Sequence, residues 1–395
     1  MIAWRYHLLS RSPVAMLIII GIASIIANTG WRVVMNNFAV DTVGMTGANV
    51  GILQSVREIP GLLAFTVMFL LMALSEQRVA ILSLCILGIG VAITGYLPTV
   101  YGFYFTTVFM SLGFHYLEAV HRSLSTQVLE AETFGESMGQ INAASAFFGL
   151  ATFIGIILAV QIFDVSAKVI FLGCGVICTL LSIYLLSFHK YDDSRVKQIN
   201  KIILRKEYST YYFLTFLGGA RRQIFVAFAG LLMVQKFDYS ITMMATLFML
   251  SSLATTITLP AIGEFIDRIG EKRALLLEYA ALAILFLSYA YVSNHYVAGV
   301  LYVLDSILFS FTLALATYFK KTIKPDEISA TSSISFTINH IAAVFLPFLL
   351  GIVWMSGSEI VFIIGAVIAM ISFFVAMSIK EDRGTVKQDI YQRDI

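Results

Sequence analysis

The chain has 395 residues, 59% of them apolar or aromatic (Ala, Val, Ile, Leu, Met, Phe, Trp, Tyr, Cys) and only 13% charged, with a mean hydropathy of +0.87. An ordinary soluble chain is roughly a quarter charged. This composition excludes a soluble globular enzyme and a disordered chain, and a net charge of +2 excludes nucleic-acid binding by overall charge.

A membrane-crossing helix needs about 20 apolar residues, and the sequence predicts twelve such spans, at 14–39, 47–74, 79–97, 101–128, 135–162, 168–188, 211–235, 240–265, 274–292, 296–319, 328–353 and 358–379. Arg5 and Arg11 followed by the Leu17 to Ile26 run superficially resemble a secretory signal. The apolar stretch continues past Arg32 to Val40 without a small-residue cleavage site, so an uncleaved first helix is expected. Cys85, Cys174 and Cys178 all fall inside apolar runs without a neighbouring His, which predicts packing rather than a disulfide framework or a metal site.

The longest polar interruption, His189 to Ser209, separates six runs from six. The expected organisation is therefore an all-α integral membrane protein of twelve transmembrane helices in two pseudo-symmetric bundles: 1–188, a linker at 189–209, 210–380, and a tail at 381–395. With the N-terminus inside, 19 of the 26 Lys and Arg fall in cytoplasmic loops, against only Lys168 and Lys236 outside. The positive-inside rule then predicts a multi-pass protein of the plasma (inner) membrane with both termini cytoplasmic.

The remaining five arginines lie within spans. In the first span this is Arg32, next to Trp31; in the second it is Arg57, next to Glu58. The fourth span carries His115, Glu118 and Arg122 at i, i+3 and i+7, on one helical face, with Glu118 and Arg122 at ion-pair spacing. Protonating that carboxylate would free the arginine to hold an anion, and His115 could relay the proton. Arg221 and Arg222 in the seventh span point about 100° apart, so one is expected to face a central cavity and the other a neighbouring helix. Asp305 lies in the tenth span, Asn339 and His340 in the eleventh. Ionisable groups cost at least about 2.5 kcal/mol each in the bilayer, so they mark partners, water or a substrate path.

Two weak repeats share an offset. Ser75-Glu-Gln-Arg78 precedes Gly270-Glu-Lys-Arg273 by 195 positions, and Ile141-Asn142 precedes Ile338-Asn339 by 197, as a parallel duplication would require. After the eighth span, Gly263-Glu-Phe-Ile-Asp267-Arg268-Ile-Gly270-Glu-Lys272-Arg273 resembles the cytoplasmic loop signature of the major facilitator superfamily, G-x-x-x-D-R-x-G-x-[KR]-[KR]. That resemblance implies secondary transport by two rocking bundles around a midplane cavity lined by helices one, two, four, five, seven, eight, ten and eleven. It also implies a latch in which Asp267 pairs with the other half, supported by Arg268, with Gly270 for the turn, Gly263 for close helix approach, and Lys272 and Arg273 as basic flanks. The first-half counterpart at Met72 to Arg78 lacks the aspartate and glycines, so a one-sided latch is expected. The fifth span lacks the Gly-Pro motif of many drug/proton antiporters of the superfamily, which argues against drug antiport.

The substrate-binding candidates are Arg32, Arg57, Arg122, Arg221, Arg222, Asn339 and His340, and the proton-coupling candidates are Glu58, His115, Glu118 and Asp305. Five arginines against three carboxylates favour a small anionic or zwitterionic organic solute, held by guanidinium contacts. No ATP-binding motif, zinc pair or nucleophile triad is present, so the expected energy source is a gradient, most simply of protons, and no cofactor, resident metal or nucleic acid is called for. A monomer is expected. Two rivals remain: a metal or metal-chelate (siderophore-type) carrier using His115, His121 and His340, and a polytopic lipid-modifying enzyme.

Overall fold

A computed structural model describes Trp4 and residues 11–130, 133–189, 204–324 and 327–379. Most of the expected linker and the C-terminal tail lie outside the described residues. Among those residues the chain is all helix and turn, without a strand.

The helices are α1 (Pro13–Asn37), α2 (Gly47–Leu62), α3 (Glu76–Thr94), α4 (Val100–Val128), α5 (Phe134–Phe163) and α6 (Ala167–Leu185) in the first half. The second half has α7 (Ser209–Gln223), α8 (Ile241–Ile269), α9 (Glu271–Tyr291), α10 (His295–Phe309), α11 (Ile328–Trp354) and α12 (Ser358–Met377). Ser12 caps α1, its hydroxyl accepting from the Ala15 amide, and Pro13 occupies the first turn, where its missing N–H costs nothing. Thr46 and Asn49 close a reciprocal cap at the start of α2.

Four spans are less regular than the sequence suggests. α1 runs on into a π-helical turn, Phe38–Thr42, and α7 into another, Ile224–Ala229, before resuming over Gly230–Phe237. α2 bends by 41° before its short continuation over Ala64–Leu71, just past Pro60, which lacks the N–H needed to continue the ladder. α10 breaks at Ser310 and Phe311 and continues as Thr312–Thr322. Among the described residues ten helices are long and apolar enough to cross a membrane, and the bent α2 makes eleven. The 29-residue α4, whose His115, Glu118, His121 and Arg122 lower its hydropathy, completes twelve.

The packing falls into two sets. α3 packs on α4 and α6, and α1 on α5 and α6; in the second half α9 packs on α12, α8 on α10, and α7 on α11 and α12. The two halves meet chiefly through α2 against α11 and α5 against α8. Shifting each member by six helices turns one of these contacts into the other, as a twofold relation between the halves demands.

One end of the molecule carries Arg78, Arg268, Lys272, Arg273, Lys320 and Lys321 and is called the basic end. At the opposite end the halves are shut. A Cβ on Gly51 would lie 2.3 Å from the Pro347 carbonyl oxygen, and one on Gly47 2.0 Å from the Trp354 ring, so only glycine lets α2 and α11 approach this closely. Beside this seam the Asn37 side-chain amide donates to the Tyr239 carbonyl at 2.8 Å, tying α1 to the end of the seventh span. Apolar side chains such as Phe147, Ile154, Ile183, Ile257 and Phe374 cover the outer faces, as a lipid-facing surface requires. Cys174 and Cys178 are buried free thiols, Cys174 seated against Gly30.

Candidate functional site

A cavity of about 930 Å³ lies between the halves. Its walls come from α1, α2, α4, α5, the seventh and tenth spans, α8 and α11, the eight helices named by the resemblance. It extends toward the basic end, where the Arg122 side chain, 83% exposed, stands at its rim.

At the cavity's inner end stands Glu58, 3% exposed. Arg57, its chain neighbour, donates to Oε1 at 2.6 Å and lies over the Trp31 ring. Arg222 reaches from α7 to within 3.9 Å of Oε2, and His340 Nε2 from α11 to the same distance. One carboxylate of the first half thus faces a guanidinium and an imidazole of the second. Ser111 on α4 donates to the Arg57 carbonyl, fixing that part of α2 against α4. Arg32 enters the cavity from α1 and lies over the Phe248 ring of α8 at 5.3 Å from its centroid. Phe248 in turn stacks on Phe153 of α5.

Arg32, Arg57 and Arg222 therefore share this region with a single carboxylate, leaving two uncompensated positive charges if the imidazoles are neutral. In a low-dielectric pocket such an excess is stabilised by an anion. Aromatic walls from Phe114, Phe225, Phe336 and Tyr302 surround the charges. Glu118 and Arg122 pair loosely nearer the rim, at 4.0 Å, with His115 Nδ1 3.7 Å from Glu118. Asn339 also lines the cavity, with a buried and unpartnered side-chain oxygen. A smaller pocket of about 290 Å³ between α1, α4 and α5 holds His121, beside Glu118 and Arg122.

Two of the sequence candidates sit elsewhere. Arg221 does not line the cavity: it is buried in the second half, 3.8 Å from Glu278 of α9 and over the Tyr279 ring. Neighbouring helix positions diverge, so Arg222 takes the cavity face and Arg221 the bundle interior. Asp305 is likewise buried behind the cavity wall, while Tyr302 and Ser306 on either side of it line the cavity. Glu278, which the sequence reading missed, was detectable as the lone acid in the Ala274 to Tyr291 apolar run, needing a cation that the diverging arginine pair could supply.

The loop signature is exposed rather than latched. Asp267 and Arg268 are both exposed, and among the described residues Arg268 pairs only with Glu264 of its own helix, at 2.9 Å. Gly270 has φ +86°, the positive value that favours glycine between α8 and α9. The close approach expected at Gly263 is absent, since a Cβ there would meet Leu313 at an ordinary 3.7 Å. Lys272 and Arg273 open α9, and Lys321 of the tenth span pairs with Glu271 there, at 2.5 Å. A second acid missed in the sequence, Glu327, precedes α11 and takes hydrogen bonds from Arg205 Nε at 2.7 Å and the Tyr208 hydroxyl at 2.7 Å. The Arg205 hydrogen bonds, with that of Tyr208, hold its carboxyl below the ordinary carboxylate range.

No curated protein matches the chain in sequence. In solved structures, a point variant of the nucleoside transporter NupG superposes with a TM-score of 0.79 at 16% identity, covering 93% of this chain and 99% of that one. A bacterial homolog of the human lysosomal transporter Spinster, inward-facing and occupied, gives 0.69 at 12% identity, over 92% and 95%. Such identities speak for the fold alone. The family model described as Major Facilitator Superfamily matches residues 211–393. The second half of the chain therefore matches the superfamily's model, and the whole chain shares the fold of these solved transporters.

Proposed function

We propose that the protein is a secondary transporter that carries a small organic anion or zwitterion across the membrane by alternating access. The observation that carries this reading is the inner end of the cavity, where Arg57 and Arg222 converge on one carboxylate, Glu58, and Arg32 lines the same space. A solute carboxylate or phosphate would replace Glu58 as the partner of Arg57 and Arg222 and draw in Arg32, and the aromatic walls would cover its apolar part. The matched solved structures are by name transporters, which supports the class but says nothing of the cargo.

The distribution of Lys and Arg supports a cytoplasmic basic end, in a plasma (inner) membrane. The conformation is then inward-open, with the opposite end shut and the Asp267 latch disengaged. Proton coupling would centre on Glu58: a carboxylate freed from its guanidinium partners by a bound anion becomes a proton acceptor. His115 and Glu118, nearer the rim, would pass protons between it and the cytoplasm, and Asp305 would hold one behind the wall.

Flux in sealed proteoliposomes tests this reading. A panel of organic anions, with and without an imposed pH gradient, should reveal uptake that Arg222→Gln loses and that loses its dependence on the gradient in Glu58→Gln. Uptake that is equal in wild type and Arg222→Gln, or substrate turnover in detergent without any compartment, would overturn it.

A further inference from the structure

We propose that Glu58, His115 and His340 form a binding site for a borderline transition-metal cation such as Zn²⁺, one that bridges the two halves and locks them in the present arrangement. This goes beyond the transport reading and does not depend on the cargo. The three residues come from α2, α4 and α11, and one ligand atom of each lies within 4.8 Å of the others. Bond lengths near about 2.1 Å place tetrahedral ligands roughly 3.4 Å apart, so side-chain shifts of about 1 Å would close the site.

The orientation of the groups supports this reading. His340 Nδ1 lies 2.9 Å from the Phe336 carbonyl oxygen, which fixes the tautomer with the proton on Nδ1. Nε2 then carries a lone pair and faces Glu58 Oε2 at 3.9 Å, so two acceptors confront each other, as the ligands of one cation would. Glu58 Oε2 is buried without a hydrogen-bond partner. Glu118 Oε2 lies 3.7 Å from His115 Nδ1, just outside hydrogen-bond reach, so a small shift would give the carboxylate–histidine arrangement that orients a metal-bound imidazole. The two rings meet edge to face at 5.4 Å between centroids. They are brought together over Gly61, where a Cβ would lie 2.5 Å from His340 Nε2 and 2.7 Å from His115 Cε1.

Two nitrogens and one oxygen suit Zn²⁺, Co²⁺ or Ni²⁺ and disfavour the all-oxygen shells of Mg²⁺ and Ca²⁺. Arg57 on Oε1 and Arg222 near Oε2 oppose a cation. They make the site a weak one, to be occupied when metal is abundant, and they give it a signature: removing the Arg222 charge should tighten binding by about tenfold or more.

Tag-free purified protein in detergent, titrated with ZnCl₂ or MgCl₂ and followed by thermal shift, tests the proposal, with EDTA as reversal. Zn²⁺ and not Mg²⁺ should raise the melting temperature of wild type, His115→Ala and His340→Ala should each lose the shift, and Arg222→Gln should reach it at lower metal. Co²⁺ should show the intense visible absorption of a four-coordinate site in wild type and Arg222→Gln, and not in the double variant His115→Ala/His340→Ala. A Zn²⁺ shift unchanged in both histidine variants would overturn the proposal, as would the absence of both shift and Co²⁺ band from wild type and Arg222→Gln alike. Failure of these arms leaves the anion-flux result untouched, so the two readings fall separately.

Discussion

The seam between α2 and α11 sets up the sharpest structural prediction. A methyl group added at Gly51 would sit 2.3 Å from the Pro347 carbonyl oxygen and 2.8 Å from the Gly351 Cα, both backbone atoms that cannot rotate away. Ordinary contact begins at 3.4 Å, so Gly51→Ala should push the helices apart by about 1 Å at this level. Overpacking of this kind costs about 1–3 kcal/mol. Because the seam closes the end opposite the basic one, the cost falls on the conformation shut there and not on one open there. A shift of that size changes the balance between the two by roughly 5- to 150-fold. Spin labels at Pro98→Cys and Ser293→Cys, exposed positions on the two halves at that end, would report it by pulsed electron resonance. The expected result is a longer-distance population, absent from wild type, in both Gly51→Ala and Gly351→Ala. A distribution unchanged in both variants, each folded and monodisperse, would show that the α2–α11 seam does not hold that end shut.

Other consequences follow from single contacts. Glu278→Ala would leave Arg221 buried without its carboxylate, and removing one partner of a buried pair costs about 3–5 kcal/mol, so its melting temperature should fall well below that of a surface control such as Glu264→Ala. Asn37→Ala removes the hydrogen bond that ties α1 to the Tyr239 carbonyl, and labels at the same positions, Pro98→Cys and Ser293→Cys, should show partial opening smaller than that of Gly51→Ala. The Glu327 carboxyl is held below its ordinary range by Arg205 and Tyr208, so its contribution to stability is present above the ordinary carboxylate range and lost as pH falls through the lowered value. The difference in melting temperature between wild type and Arg205→Gln should therefore be present at neutral pH and vanish in acid; a constant difference would remove Glu327 from the account.

Much of the fold was legible because a bilayer leaves few options: twelve apolar runs, a polar break after the sixth and a one-sided distribution of basic residues correspond to twelve spans in two bundles. The kinks were less accessible. Pro60 announces the bend in α2, whereas no residue marks the π-helical turns after Asn37 and Gln223 or the break at Ser310, which depend on packing between helices. The face shared by His115, Glu118 and Arg122 could be read from spacing alone, since all three stand on one helix. The convergence of Glu58, Arg222 and His340 could not, because it joins three helices from two halves. Arg221 and Asp305 illustrate the same limit: each sits one helix face away from the cavity, a displacement that depth along the span does not reveal. Glu278 escaped notice because α9 belongs to the outer scaffold, where a charge has no cavity to face and must find its partner in the bundle interior.

Whether the cavity selects a negative charge is decided by calorimetry of the purified protein with matched ligands: an organic carboxylate and its neutral amide, compared in wild type and in the Arg57→Gln/Arg222→Gln variant. The anion should bind at least about tenfold more tightly than the amide in wild type, and this preference should collapse in the variant. Equal affinity for the two ligands in wild type, or a preference that survives loss of both guanidinium groups, would contradict that selectivity.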